Sequence, residues 1–192
     1  NKEKIVALIV GGPNKYYDYN NNSINELFLS MKKIIDLNHF QLIFIPSMRT
    51  PQNVIDKANE FFDKNQIIIT DVDKKAYLSS LKLADHIVVT CDSTSMISEA
   101  AMTGKPIYVA QMPSIKKNYR FRKFFELFKS LNIIRDLPKD LILTSWNYKK
   151  LNETERISRY IKEKFKDYEI AGHVTLTKGE RSKLASLAAE IL

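Results

Sequence analysis

The sequence predicts a doubly wound α/β domain: a Rossmann-like parallel sheet in the middle layer of an α/β/α sandwich. Three observations lead there. Short apolar, β-branched runs alternate with helical patterns along the first two thirds of the chain. The runs are apolar at successive positions, as strands buried on both faces are. Each run gives way to a turn cluster that opens the next helix, which is how parallel strands are joined.

The elements follow in order. Residues 5–10 are the first strand, closed by Gly11-Gly12-Pro13. Asn22 or Ser23 can cap a helix to about Leu37, with Ile24, Leu27, Phe28, Met31, Ile34 and Ile35 on one face. Residues 41–46 are the second strand. Thr50 then caps a helix with Pro51 at its first position, ending near Asp63. Residues 66–70 are the third strand, and Asp73 opens a helix through Tyr77, Leu78, Leu81 and Ala84. Residues 86–90 are the fourth strand. Ser93 or Thr94 starts a helix that stops at Gly104, and residues 106–110 are the fifth strand.

Beyond Met112 the alternation weakens. Residues 118–131 read as a basic, aromatic amphipathic helix, and 141–143 as a short sixth strand. Residues 152–165 read as a helix with Asn152 and Glu155 in a capping box. Residues 173–177 look extended and 178–192 form an Ala/Leu-rich helix. The expected division is a domain over 1–166 and an accessory tail over 167–192.

Composition narrows the function classes. The 192 residues are 44% hydrophobic and 27% charged, with a net charge of +8. No apolar run approaches the roughly 20 residues of a membrane span, and the N-terminus has no signal-peptide core. Asn1 in place of an initiator Met reads as a fragment or an excised domain. A single cysteine, Cys91, rules out an internal disulfide and fits a cytoplasmic protein. Three histidines and one cysteine show no ligand spacing, so no structural zinc is expected. The lysines fall mostly at outward helical positions, and no nucleic-acid-binding motif is present, so nucleic acid is not an expected partner.

In such a sheet ligands bind beyond the carboxyl ends of the strands. Three loops there could carry chemistry. Gly11, Gly12, Asn14 and Lys15 could bring backbone amides and a cation to an anion, or could simply make a tight turn. Ser47, Arg49 and Thr50 sit at a helix start that favours anions; alternatively Thr50 only caps and Arg49 is only solvated. The most specific loop is Asp92-Ser93-Thr94-Ser95 with Glu99 one turn into the helix. Its three consecutive hydroxyls exceed what one cap needs. Helix amides and hydroxyls there can cradle phosphate, and Glu99 can accept ribose hydroxyls. The plain alternative is capping residues with Glu99 as a dipole partner. Cys91 reads as a small buried residue. Lys116, Lys117, Arg120, Arg122 and Lys123 could meet an anionic lipid headgroup, although the Phe-rich face reads first as packing.

The loops 10–17 and 46–51, with 92–100 followed by Thr103-Gly104-Lys105-Pro106, together resemble the mitochondrial-fission ("elongated mitochondria") family over about residues 4–164. That family is similar to glycosyltransferases of the GT-B fold, whose C-terminal domain binds a nucleotide-diphosphate sugar. The resemblance implies that Gly11, Gly12 and Asn14 lie near the diphosphate and that Arg49 contacts phosphate or base. It implies that Ser93, Thr94 and Ser95 bind phosphate and Glu99 binds ribose. It also implies a nucleotide sugar as substrate, with no further cofactor, and hexosyl transfer once an N-terminal domain is paired with this one. The resemblance further implies that this N-terminal domain, which supplies the usual catalytic base, lies outside the 192 residues. A membrane-peripheral location and a lipid acceptor are further expectations. Two other readings stay open: a non-catalytic interaction or membrane-remodelling protein that retains the fold, and half of a sugar-nucleotide epimerase.

Overall fold

The apolar runs pair side by side. β1 (Lys4–Val10), β2 (Phe40–Pro46), β3 (Ile67–Ile68), β4 (His86–Thr90), β5 (Ile107–Ala110) and β6 (Ile134–Asp136) form one parallel sheet. The strand order is β3-β2-β1-β4-β5-β6. Crossovers run through α1 (Asn21–Asn38), α2 (Gln52–Phe61), α3 (Lys74–Leu83), α4 (Thr94–Ala101) and α5 (Tyr119–Ser130). The computed structural model describes residues 4–164. They fall into two compact units, the first ending at Leu151 and the second beginning at Asn152. The expectations for 165–192 lie outside the described residues.

The sheet is the Rossmann-like, doubly wound parallel one expected. The chain builds outward from β1 through β2 to β3, then reverses and builds through β4, β5 and β6. Right-handed crossovers put helices of the two directions on opposite faces. β1 is therefore central and covered twice, and Val6 to Val10 are fully buried. On one face Phe28 of α1 meets Phe44 of β2 edge-on, ring centres 6.1 Å apart.

Several boundaries differ from expectation, each for a local reason. The cap of α1 is Asn20, whose Oδ1 accepts from Ser23 N at 2.9 Å, not Asn22 or Ser23. α2 starts after Pro51 without a side-chain cap, because the Thr50 hydroxyl turns the other way, to the carbonyls of Val10 and Gly11. β3 is only two residues long: the Gln66 side chain accepts from Leu42 N at 2.6 Å, where a strand backbone would otherwise pair. Gly104 adopts φ +76° two residues beyond the α4 C-cap, Met102.

Residues 141–143 are not a strand. β6 is Ile134–Asp136, an edge strand with two exposed charged residues that hide its pattern. Leu141 has φ +58°. The Asn38 side chain holds this segment, donating to Leu141 O and accepting from Leu143 N, each at 2.9 Å. The strap continues along the sheet: Thr144 N donates to Tyr108 Oη at 2.8 Å, Trp146 Nε1 donates to Asn132 O at 2.8 Å, and Tyr148 Oη donates to Lys105 O at 2.9 Å. In the second unit α6 (Glu153–Lys164) begins after Asn152, whose side-chain oxygen accepts from Glu155 N at 3.3 Å, the expected cap.

His86 starts β4 and is buried between Phe40 and Tyr108, at ring distances of 5.1 and 6.5 Å. Its Nε2 faces Ser145 Oγ at 3.3 Å, while its buried Nδ1 has no hydrogen-bond partner. Burial lowers its pKa below the ordinary value. The unfolded imidazole therefore takes a proton first as pH falls. His86 contributes stability that is complete above about pH 6.5 and is lost as pH falls through the lowered folded-state value. His86→Phe is expected to flatten this limb. Urea midpoints of variant and wild type compared from neutral to mildly acidic pH should diverge in the variant's favour; a constant difference refutes the assignment.

Candidate functional site

The sheet reverses direction between β1 and β4, so the loops following these two strands lie side by side at its carboxyl edge. Such a reversal is where a crevice opens in this class of fold. Here the two loops and the one after β2 are bonded to one another.

Asp92 is their common point. Its side chain is fully buried. Oδ2 accepts from Arg49 Nη2 at 2.7 Å and from Gly12 N at 3.1 Å. Oδ1 accepts from Thr90 Oγ1 at 2.7 Å and from the Tyr19 hydroxyl. Burial and the adjacent Asp92 carboxylate raise the Tyr19 phenol above its ordinary range, so it stays a donor. Arg49 also donates through Nη1 to Gly12 O at 3.0 Å, and its side chain remains 40% exposed. Gly11 N donates to Thr90 Oγ1 at 2.8 Å.

This packing explains both glycines. A Cβ on Gly11 would stand 2.1 Å from Asp92 Oδ2, and one on Gly12 1.8 Å from Arg49 O. Asn14 fastens the loop: its Oδ1 accepts from Tyr16 N at 2.8 Å and Tyr17 N at 3.1 Å, and its Nδ2 donates to Asp92 O at 3.2 Å. Lys15 is exposed, its ammonium 5.0 Å from the Tyr16 ring centre. Thr50 Oγ1 is buried and accepts from Ser47 N at 2.8 Å; Ser47 Oγ lies 3.2 Å from it.

Ser93 follows Asp92 directly and caps α4, its hydroxyl accepting from Met96 N at 3.4 Å. Thr94 and Ser95 come next, half-buried and exposed. Among the described residues their hydroxyls have no hydrogen-bond partner, and their amides belong to the first helical turn, which has no intrahelical acceptor. Glu99 lies one turn on. Its Oε2 accepts from Tyr77 Oη of α3 at 2.7 Å, and burial, with this bond, raises the Tyr77 phenol. Glu99 and Tyr77 line a groove of about 650 Å³ between α3 and α4, with Lys74, Leu78, Met102 and Lys105.

The structure thus brings Gly11, Gly12, Asn14, Ser47, Arg49, Thr50 and Asp92 into one hydrogen-bonded knot. Ser93, Thr94 and Ser95 extend from it as the start of α4. Glu99 bonds to Tyr77 instead of the knot, and Lys15 contacts Tyr16. Tyr19, Thr90 and Tyr77 were not legible as partners of these residues. Thr90 ends a strand and Tyr77 lies on a helix face, which say nothing of long-range bonding, and Tyr19 lies in a loop without a pattern. Cys91 is fully buried, with Met112 N donating to its sulfur at 3.2 Å, and burial pushes its thiol up to about 11. That suits a packed residue rather than a nucleophile.

The family described as Mitochondrial fission ELM1 matches residues 1–165. The chain belongs to the Mitochondrial fission ELM1 family. The chain is 34% identical over 170 residues to the uncharacterised protein RP120 of Rickettsia prowazekii, a match covering 83% of this chain and 46% of that one. It is 33% identical over 87 residues to the mitochondrial fission protein ELM1 of Arabidopsis thaliana, covering 45% of this chain and 20% of that one. The ELM1-family chain therefore spans less than half the length of these two relatives. A Listeria monocytogenes protein assigned as a UDP-N-acetylglucosamine 2-epimerase shares the fold at a TM-score of 0.53 and 12% identity, over 91% of this chain and 49% of that one. That likeness supports the GT-B-like architecture. Among the described residues of this ELM1-family chain no helix is long and apolar enough to cross a membrane.

Proposed function

We propose that this domain binds a nucleotide-diphosphate sugar of the UDP type at the carboxyl edge of its sheet. The observation that carries the reading is the start of α4. Two hydroxyls and two amides, those of Thr94 and Ser95, stand without partners among the described residues where β4 hands over to the helix, beside the Gly11-Gly12 turn. A diphosphate seated there meets the positive end of the helix dipole. The exposed side of Arg49 adds a cation, and Lys15 lies on the same loop cluster. Glu99, steadied by the Tyr77 hydroxyl, is one turn from the phosphates and accepts the two ribose hydroxyls. Helix amides and cations offset the charge of the leaving diphosphate, so this reading invokes no metal. Hexosyl transfer, in the same reading, belongs to the longer two-domain protein, whose other half brings the acceptor and the base.

Thermal melting with UDP, GDP, ADP and their sugar conjugates tests this directly. A ligand at about 100 times its Kd stabilises by about 2.7 kcal/mol, or roughly 5–10 °C for a domain of this size. Glu99→Ala is expected to abolish the shift and to leave the unliganded melting temperature within about 2 °C, because Glu99 is exposed. No shift with any nucleotide overturns the reading, and an undiminished shift in Glu99→Ala removes the ribose role. Arg49→Ala is a poorer probe, since it strips the buried Asp92 of its counter-ion.

A further inference from the structure

The segment 115–131, on the β5–α5 loop and α5, has a surface the nucleotide reading leaves unused. Four of its cations, Lys116, Lys117, Arg120 and Lys123, are exposed and have no carboxylate partner among the described residues. Two more are spoken for: Arg122 faces Glu126 at 3.6 Å and Lys129 pairs with Asp136 at 2.5 Å. Glu126 is the only carboxylate in the segment. Large apolar side chains stand exposed among these charges: Ile115 at 60%, Tyr119 at 58%, Leu127 at 54% and Leu131 at 51%. The helix packs through other residues: Phe124, Phe125 and Phe128 on the core, and Phe121 on the Tyr16 and Tyr17 rings.

This surface is joined to the candidate site. Ile115 N donates to Tyr16 O at 2.7 Å, and Asp18 N to Pro113 O at 2.9 Å. The Phe121 ring meets Tyr16 and Tyr17 at 5.7 and 5.4 Å. Lys15 and Lys116 flank the Tyr16 ring from the two segments, at 5.0 and 5.5 Å.

We propose that the β5–α5 loop and the outer face of α5 dock on an anionic lipid bilayer, turning the carboxyl edge of the sheet toward the membrane surface. The cations without a carboxylate partner match the negative potential of acidic headgroups, each adding to attraction within a Debye length. Exposed Ile, Leu and Tyr decide between a bilayer and a nucleic acid. They gain nothing from a phosphodiester backbone but partition into the headgroup–acyl boundary, where tyrosine rings favour the interface. The proposal stands independently of nucleotide binding.

Sedimentation of the 192-residue chain with vesicles tests it, comparing phosphatidylcholine alone with phosphatidylcholine carrying about 30% phosphatidylserine, at about 0.1 M salt. Binding to the anionic vesicles only is expected. The triple variant Lys116→Gln, Lys117→Gln, Arg120→Gln should bind them about 100-fold more weakly, at about five-fold per cation. It should keep the wild-type melting temperature and any nucleotide-induced shift. Ile115→Asn with Leu127→Asn should also weaken vesicle binding. Equal binding of wild type and triple variant, or no binding to anionic vesicles, overturns the proposal. So does an unweakened Asn double variant, or displacement by a DNA duplex at a lower phosphate concentration than the vesicles require.

Discussion

Asp92→Ala should lower the melting temperature by roughly 10 °C. The change leaves Gly12 N, the Tyr19 hydroxyl and the Thr90 hydroxyl without the acceptor they share, in a place where the carboxylate is fully buried. Each unsatisfied buried donor costs about 1–3 kcal/mol. Arg49 contributes less to the loss, because its 40% exposed side chain can turn to water. A total of about 3–4 kcal/mol corresponds, at roughly 2–4 °C per kcal/mol for a domain of this length, to that drop. Asp92→Asn retains one acceptor oxygen and should fall between. A calorimetric shift below about 2 °C for Asp92→Ala would show that the three loops are held by something other than this carboxylate.

Gly12→Ala is the second large effect. Its methyl group would lie 1.8 Å from the carbonyl oxygen of Arg49, a backbone atom that moves only if the β2–α2 loop moves. The expected cost is about 3 kcal/mol or more, with the Arg49–Asp92 pair pulled apart as the loops separate. Gly104→Ala provides the contrast. There the methyl group meets only the flexible stem of Lys150, 2.5 Å away, and the φ of +76° costs about 1–2 kcal/mol. Chemical denaturation should rank the two substitutions in this order, and an equal or reversed ranking would contradict the close approach of the loops.

The sheet was legible in the sequence because parallel strands buried on both faces are apolar at successive positions, and the central strands β1, β2, β4 and β5 each carry such a run. β4 was read to the residue, and the hydroxyls after Asp92 placed the helix start at Ser93 or Thr94; Ser93 is the cap. β6 was missed because a three-residue edge strand with Arg135 and Asp136 exposed carries no apolar run, whereas Leu141-Ile142-Leu143 does. The apolar run there reflects one buried side chain, Leu143, held by a distant Asn38. The loops of the candidate site were found as turn chemistry at strand ends. What the sequence concealed was their dependence on one another. Asp92, read as one member of a phosphate loop, spends both oxygens on long-range bonds to residues about 40 to 80 positions away. Sequence proximity has no bearing on such bonds.

The strap after β6 decides where this domain can be trimmed. A piece cut at Asp136 would keep all six strands yet lose Leu143 and Trp146 from beneath the sheet's lower rim, baring the Tyr108 ring that Trp146 meets edge-on at 5.1 Å. The amide of Asn38 and the orphaned imidazole of His86 would then both face water. The smallest stable piece of the first unit therefore runs past the last strand to Leu151, whose amide bonds back to Ala101 O.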